Sequence, residues 1–142
     1  VWHRVLYVDV NAVFYGCRAA LPGMVSNNWG RIINLTGMNA IHGYSGRAPV
    51  SVAKHGVWGL TKALAKEFGP SGITVNAISP GPIRPEHDDP IQSQHLHGEV
   101  GRIPLGHLGE PYHIASLWAY LISDGGGFVS GQMIACNGAA TT

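Results

Sequence analysis

Arg31-Ile32-Ile33-Asn34-Leu35-Thr36, then Val50 to Phe68, then Ile73-Thr74-Val75-Asn76-Ala77-Ile78, is the stretch whose reading decides the fold. The first and last segments are short, β-branched-rich apolar runs, the pattern of buried strands. Between them Val50, Ala53, Val57, Leu60, Ala63 and Leu64 recur at helical spacing. Gly69-Pro70 stops that helix, with Gly expected at the left-handed cap and Pro just beyond it. A strand, a helix of that length and a second strand make a crossover unit, which joins strands in parallel.

The same alternation extends both ways. Upstream, Val5, Leu6, Val8, Val10, Val13, Phe14, Cys17 and Leu21 predict a helix ended by Pro22-Gly23. Downstream, Pro111 to Ser123 reads as a helix with Pro at its first position, Gly125-Gly126-Gly127 breaks the chain, and Gln132 to Cys136 is a last strand. The long Pro/Gly-rich segment from Pro80 to Pro111 reads as a loop lying over a site. No repeat or linker divides the chain, so residues 1–142 are expected to form a single domain.

Composition sets the outer bounds. Of the 142 residues, 45% are hydrophobic and only 12% charged, with a formal net charge of +1. Disorder is excluded by so apolar a chain, and the near-neutral balance gives no reason to expect nucleic acid or an anionic membrane as a partner. No apolar run reaches membrane-spanning length. The two cysteines, Cys17 and Cys136, lack CxxC spacing and read as buried thiols, so a cytoplasmic location is expected. The chain opens Val1-Trp2-His3 without Met, which fits a processed or cut product.

Trp2 to Phe14, Gly30 to Thr36, Lys54-His55-Gly56-Val57, Leu60-Thr61-Lys62, Ile73 to Arg84, Arg102-Ile103-Pro104-Leu105, Gly109-Glu110-Pro111 and Gly131-Gln132-Met133-Ile134 together resemble the short-chain dehydrogenase/reductase family. The resemblance implies an α/β, partial Rossmann-like doubly wound fold, with about three parallel strands and flanking helices. It covers only the C-terminal half of that fold. The strand, Gly-rich turn and helix that hold a dinucleotide pyrophosphate on backbone N–H groups have no counterpart here, and the family's first four strands are expected to be missing.

The family's chemistry, so far as the resemblance carries it, uses four side chains. A Tyr moves the proton, a Lys four residues later lowers the Tyr pKa and holds the ribose, a Ser orients the carbonyl and an Asn positions water. Lys54 stands at the Lys position. The Tyr position is Val50, the Ser position Gly37 and the Asn position Asp9. Pro80, Gly81 and Ile83 match the vestige of the nicotinamide shelf, and Pro85 stands where a cofactor-facing Thr is expected. NAD(P) is thus implied by lineage, and no cofactor is expected on the isolated chain.

Other groupings compete for a role. Ser51 and His55 lie at i and i+4 and could form a nucleophile–base pair. Ser45, in Gly43-Tyr44-Ser45-Gly46, falls one residue short of a nucleophile elbow. Tyr44 could replace the lost phenol. Lys54 could pair with Asp9 or another acid. His95-Leu96-His97, with Glu86, His87, Asp88 and Asp89 nearby, could ligate a metal, but HxH without a rigid element is weak, and no metal site is expected.

Three readings follow. The leading one is a fragment or pseudoenzyme without ordinary hydride transfer. The second is part of an NAD(P)-dependent oxidoreductase completed by a missing N-terminal half. The third is an esterase-like hydrolase on the remnant scaffold. A homo-oligomer, dimer or tetramer, is expected in each case, because the first strand has an open edge and the helices carry surplus apolar surface. Charge at Val57 or Leu64 is expected to give insoluble protein or a weakened assembly.

Overall fold

The computed structural model describes residues 1–86, 96 and 98–141. Three strands, β1 (Gly30–Leu35), β2 (Ile73–Pro80) and β3 (Met133–Cys136), form one sheet in the order β1-β2-β3, and both pairings are parallel. Arg31 faces Thr74 and Leu35 faces Ile78 in the first ladder, while Ala77 faces Met133 in the second. The expected parallel sheet is therefore present, with strand ends shifted by one or two residues. β2 is central, and all of its residues but Pro80 are buried. A strand covered on both faces needs apolar or internally bonded residues throughout, which is why its sequence does not alternate.

The first helical segment comprises α1 (Trp2–Leu6), a π-helical turn (Tyr7–Asn11) and α2 (Ala12–Ser26). It passes through Pro22-Gly23 instead of ending there. Pro22 lies on the exposed face, so its ring meets solvent and only one backbone N–H is lost. The actual stop is asparagine chemistry. Asn27 donates through its side chain to the Gly23 carbonyl at 2.9 Å, and Asn28 turns left-handed at φ 49.

α3 (Ala48–Phe68) is the β1-to-β2 crossover. It turns Ala53, Val57, Thr61, Leu64 and Ala65 inward. Gly69 remains right-handed at φ -52, against expectation. The left-handed residue is Gly72 at φ 72, after a 3-10 turn over Gly69–Ser71. A Cβ there would lie 2.5 Å from the Asn28 carbonyl oxygen, so only glycine lets the two connections pass.

Cys17 and Leu21 of α2 and Leu64 and Ala65 of α3 pack on Ile32, Ile73 and Val75. α4 (Pro111–Ile122) packs against β1 and β2 apart from this cluster and buries Leu121 completely. It starts at Pro111, as expected, behind a Glu110–His113 capping box. Val57 is 0% and Leu64 8% exposed, so both belong to the core and neither belongs to a subunit surface. The expectation that charge there would act on assembly is corrected: it would act on folding.

One feature of the interior was not anticipated. Asn34 on β1 donates to the Thr61 hydroxyl at 3.0 Å, Thr61 donates to the Val57 carbonyl at 2.8 Å, and the Cys17 thiol reaches Asn34 Oδ1 at 3.9 Å. This chain of contacts ties α2, β1 and α3 together. A buried amide with its partners satisfied fixes the register of the layers better than apolar contact alone. Burial pushes the Cys17 thiol up, so it stays protonated and can donate.

Candidate functional site

The C-terminal ends of parallel strands are where α/β folds bind ligands, because the loops leaving them converge there. β1 ends in Leu35 and leads into Thr36, Gly37 and a 3-10 turn at Met38–Ala40. β2 ends in Pro80, with Gly81, Pro82 and Ile83 following. Thr36 is pinned by two bonds to the Ile78 carbonyl, from its N–H at 2.9 Å and its hydroxyl at 3.1 Å. Gly37 then takes φ 156, ψ 173, a conformation side chains rarely adopt.

Lys54 sits on α3 with its ammonium 3.5 Å from the Asp9 carboxylate, and the two side chains are 22% and 31% exposed. Asp9 is placed by the π-helical turn, and α3 approaches it closely: a Cβ on Gly56 would touch Val10 at 3.7 Å. π-turns interrupt helices at functional positions, since the extra residue re-aims a side chain. Here the turn delivers a carboxylate to the lysine. Val50 is half-buried in the first turn of α3 and brings no phenol to Lys54.

An ion pair that solvent still reaches, at a 3.5 Å separation, contributes little. Asp9→Asn is therefore expected to move Tm by less than about 4 °C. Thermal unfolding followed by circular dichroism checks this, and a larger drop would mean the pair holds the two helices together.

Ser51 and His55 share a helix face but are not joined as nucleophile and base. His55 Nδ1 lies 2.8 Å from the backbone carbonyl of Ser51, so Nδ1 carries the proton, and the Ser51 hydroxyl donates instead to Asn39 Oδ1 at 3.4 Å. Tyr44 and Ser45 line a cavity of about 650 Å³ with Asn39, Arg47, Glu99 and Arg102. Sequence reasoning missed Arg47, Asn39 and the Glu99–Arg102 pair. The only sequence signal was an arginine placed where a helix normally starts with an acceptor side chain.

Pro80, Gly81 and Ile83 form a rigid shelf. Gly81 donates to the Cys136 carbonyl at 3.0 Å, and a Cβ on it would lie 2.6 Å from Asn137 Cα. Ile83 bridges Gly109 in parallel, and Arg84 closes the loop on Glu110 at 2.7 Å. Beside this shelf, a smaller cavity of about 280 Å³ is lined by Ile83, Ile103, His107, His113, Cys136 and Asn137, among others.

These residues fit only part of a nicotinamide dinucleotide. Lys54 and the Gly81–Ile83 shelf suit the ribose and nicotinamide end, but Lys54 is engaged by Asp9 and no Gly-rich turn precedes a helix to cradle the pyrophosphate. Of the side chains weighed as metal ligands, His87, Asp88, Asp89, His95 and His97 lie outside the described residues, and Glu86 is described and exposed. Among the described residues no group of three His, Cys, Asp or Glu side chains is placed to hold a metal, and no helix is long and apolar enough to cross a membrane.

Known proteins share this arrangement. The family model described as enoyl-(acyl carrier protein) reductase matches residues 1–141. The chain is 36% identical to 3-oxoacyl-[acyl-carrier-protein] reductase FabG of Pseudomonas aeruginosa over 137 residues, 96% of this chain and 56% of that protein. It is 40% identical to acetoacetyl-CoA reductase of Shinella zoogloeoides, covering 96% of this chain and 57% of the relative. The crystal structure of acetoin dehydrogenase YohF from Salmonella typhimurium superimposes with a TM-score of 0.85 at 31% identity, over 98% of this chain and 54% of that one. The chain thus spans about half the length of the relatives it matches. With the family model matching nearly the whole chain and the fold in agreement, the chain belongs to the short-chain dehydrogenase/reductase family.

Proposed function

We propose that these 142 residues are the substrate-side half of a short-chain oxidoreductase scaffold and that, by themselves, they do not carry out hydride transfer. The observation that carries this is the state of Lys54: its ammonium is paired with Asp9 at 3.5 Å, and Val50 stands where the proton-transferring phenol would be. A lysine without a phenol to activate has no general acid to serve, a loss of about 10²–10⁴-fold. These 142 residues also contain no Gly-rich turn before a helix to cradle a pyrophosphate.

Restoring the lost side chains is expected to fail. In the double variant Val50→Tyr, Gly37→Ser, the serine enters a backbone conformation that costs about 1–3 kcal/mol for a non-glycine residue, and the cofactor still has no phosphate site. Oxidation of NADH and NADPH with acetoacetyl-CoA or acetoin should stay below about 1 s⁻¹, the low end of ordinary turnover. Steady turnover above that by the parent or the double variant refutes the proposal.

The second reading, a split oxidoreductase, is favoured by one observation: among the described residues β1 pairs with β2 alone, which leaves its other edge open to a further strand. Co-expression with the dinucleotide-binding half of a relative, followed by co-purification and gain of turnover, would place this reading above the first. Nothing in the geometry favours the hydrolase reading, since the Ser51 hydroxyl and His55 do not bond each other.

A further inference from the structure

The cavity lined by Tyr44 lies at the strand ends and holds about 650 Å³, within the size range of small-molecule sites. Its described lining contains two arginines and one glutamate. Glu99 is already bonded to Arg102 at 3.2 Å. Arg47 has no ion pair and no side-chain hydrogen bond among the described residues. One positive charge is thus left over on this lining.

The neutral groups are biased the same way. Asn39 accepts from Ser51 through its carbonyl, which leaves both hydrogens of its NH₂ to donate elsewhere. Tyr44 and Ser45 add hydroxyl donors from the loop before α3. Arg47 is also the N-cap of the 21-residue α3, and no side chain accepts from that helix terminus. The terminus therefore adds its positive end to the same side of the cavity. Donors converge here, and the one described acceptor side chain of full charge is occupied.

We infer that this cavity binds a small molecule bearing a single carboxylate, and that Arg47 is the residue that selects it. A planar guanidinium pairs with a carboxylate through two parallel bonds. One surplus charge matches a monoanion better than a phosphate dianion. The volume leaves room for a neutral body extending toward Pro82 and Ile103, which line the same cavity. The inference rests on the reading of this chain as a substrate-side half, but its test contains no cofactor and no turnover, so the two can fail separately.

The test is a ¹H–¹⁵N titration of the full chain with acetoacetate, with methyl acetoacetate as the neutral counterpart and with inorganic phosphate. Acetoacetate should shift the amides of Asn39, Tyr44 and Ser45 and bind at least about tenfold more tightly than its ester, the effect of one charge-assisted pair. Arg47→Gln should erase that difference and leave the ester unchanged, and Arg47→Lys should retain part of it. Arg47 is exposed, so neither substitution threatens the fold. Equal binding of acid and ester, phosphate binding as tight as acetoacetate, no binding of acetoacetate, or an Arg47→Gln variant that titrates like the parent would each overturn the inference. Absence of NAD(P)H turnover in the earlier assay would leave it standing.

Discussion

Val57→Asp should leave the chain unfolded or insoluble at 25 °C. Val57 is 0% exposed and faces inward from α3, and its carbonyl accepts the Thr61 hydroxyl that in turn receives Asn34. A carboxylate there is cut off from water. It must either stay charged in a dry core or take up a proton at a cost of several kcal/mol. A domain of this size has about 5–15 kcal/mol of stability in total. The substitution also disturbs the polar chain that links α2, β1 and α3, so the loss spreads beyond the site. Val52→Asp, five residues earlier on the same helix, is the control: Val52 is 48% exposed, and its charge reaches water. Far-ultraviolet circular dichroism and solubility separate the two. A soluble Val57→Asp protein with parent-like helix content would show that α3 does not lie on the sheet as described.

The sheet and its helices were legible in the sequence because three signals agree there. β1 and β2 are short, β-branched and apolar, α3 keeps helical spacing over five turns, and a parallel crossover is the arrangement that satisfies all three. The boundaries were less legible because local rules gave way to tertiary context. Pro22 continues a helix since its ring faces solvent, and the left-handed residue after α3 is Gly72, where Asn28 crowds the backbone, while Gly69 stays right-handed. The lost catalytic side chains were readable from residue type alone. The pairing of Lys54 with Asp9 was among the readings, but three things were not legible: the π-turn that places Asp9 against α3, the capture of the Ser51 hydroxyl by Asn39, and the surplus charge on Arg47. Each depends on residues from separate segments, and no single stretch of sequence carries that information.

Light scattering at micromolar concentration should give a mass of at least twice 15.1 kDa, the mass of one chain. The reason is apolar surface that one copy cannot cover. Trp2, Tyr7, Val8, Phe14 and Tyr15 of the first helical segment are each 43–62% exposed. Phe14 also borders an apolar groove of about 560 Å³ between α2 and α3, floored by Cys17, Leu21 and Leu64. The edge of β1 that pairs with no strand among the described residues ends in Leu35, which is 52% exposed. Soluble monomers rarely leave large contiguous apolar patches and an open strand edge together, because both recruit other chains. Only 12% of the residues are charged, so few are present to keep such a surface in water. A second copy meeting the first about a two-fold axis would cover the same patch on both at once, which is the commonest closed arrangement. Phe14→Asp tests the surface without entering the core, in contrast to Val57→Asp. It should lower the mass toward 15.1 kDa and leave the circular dichroism spectrum of the fold in place. A parent chain that runs cleanly as one copy, or a Phe14→Asp variant with unchanged mass, would show that this face is not where copies meet.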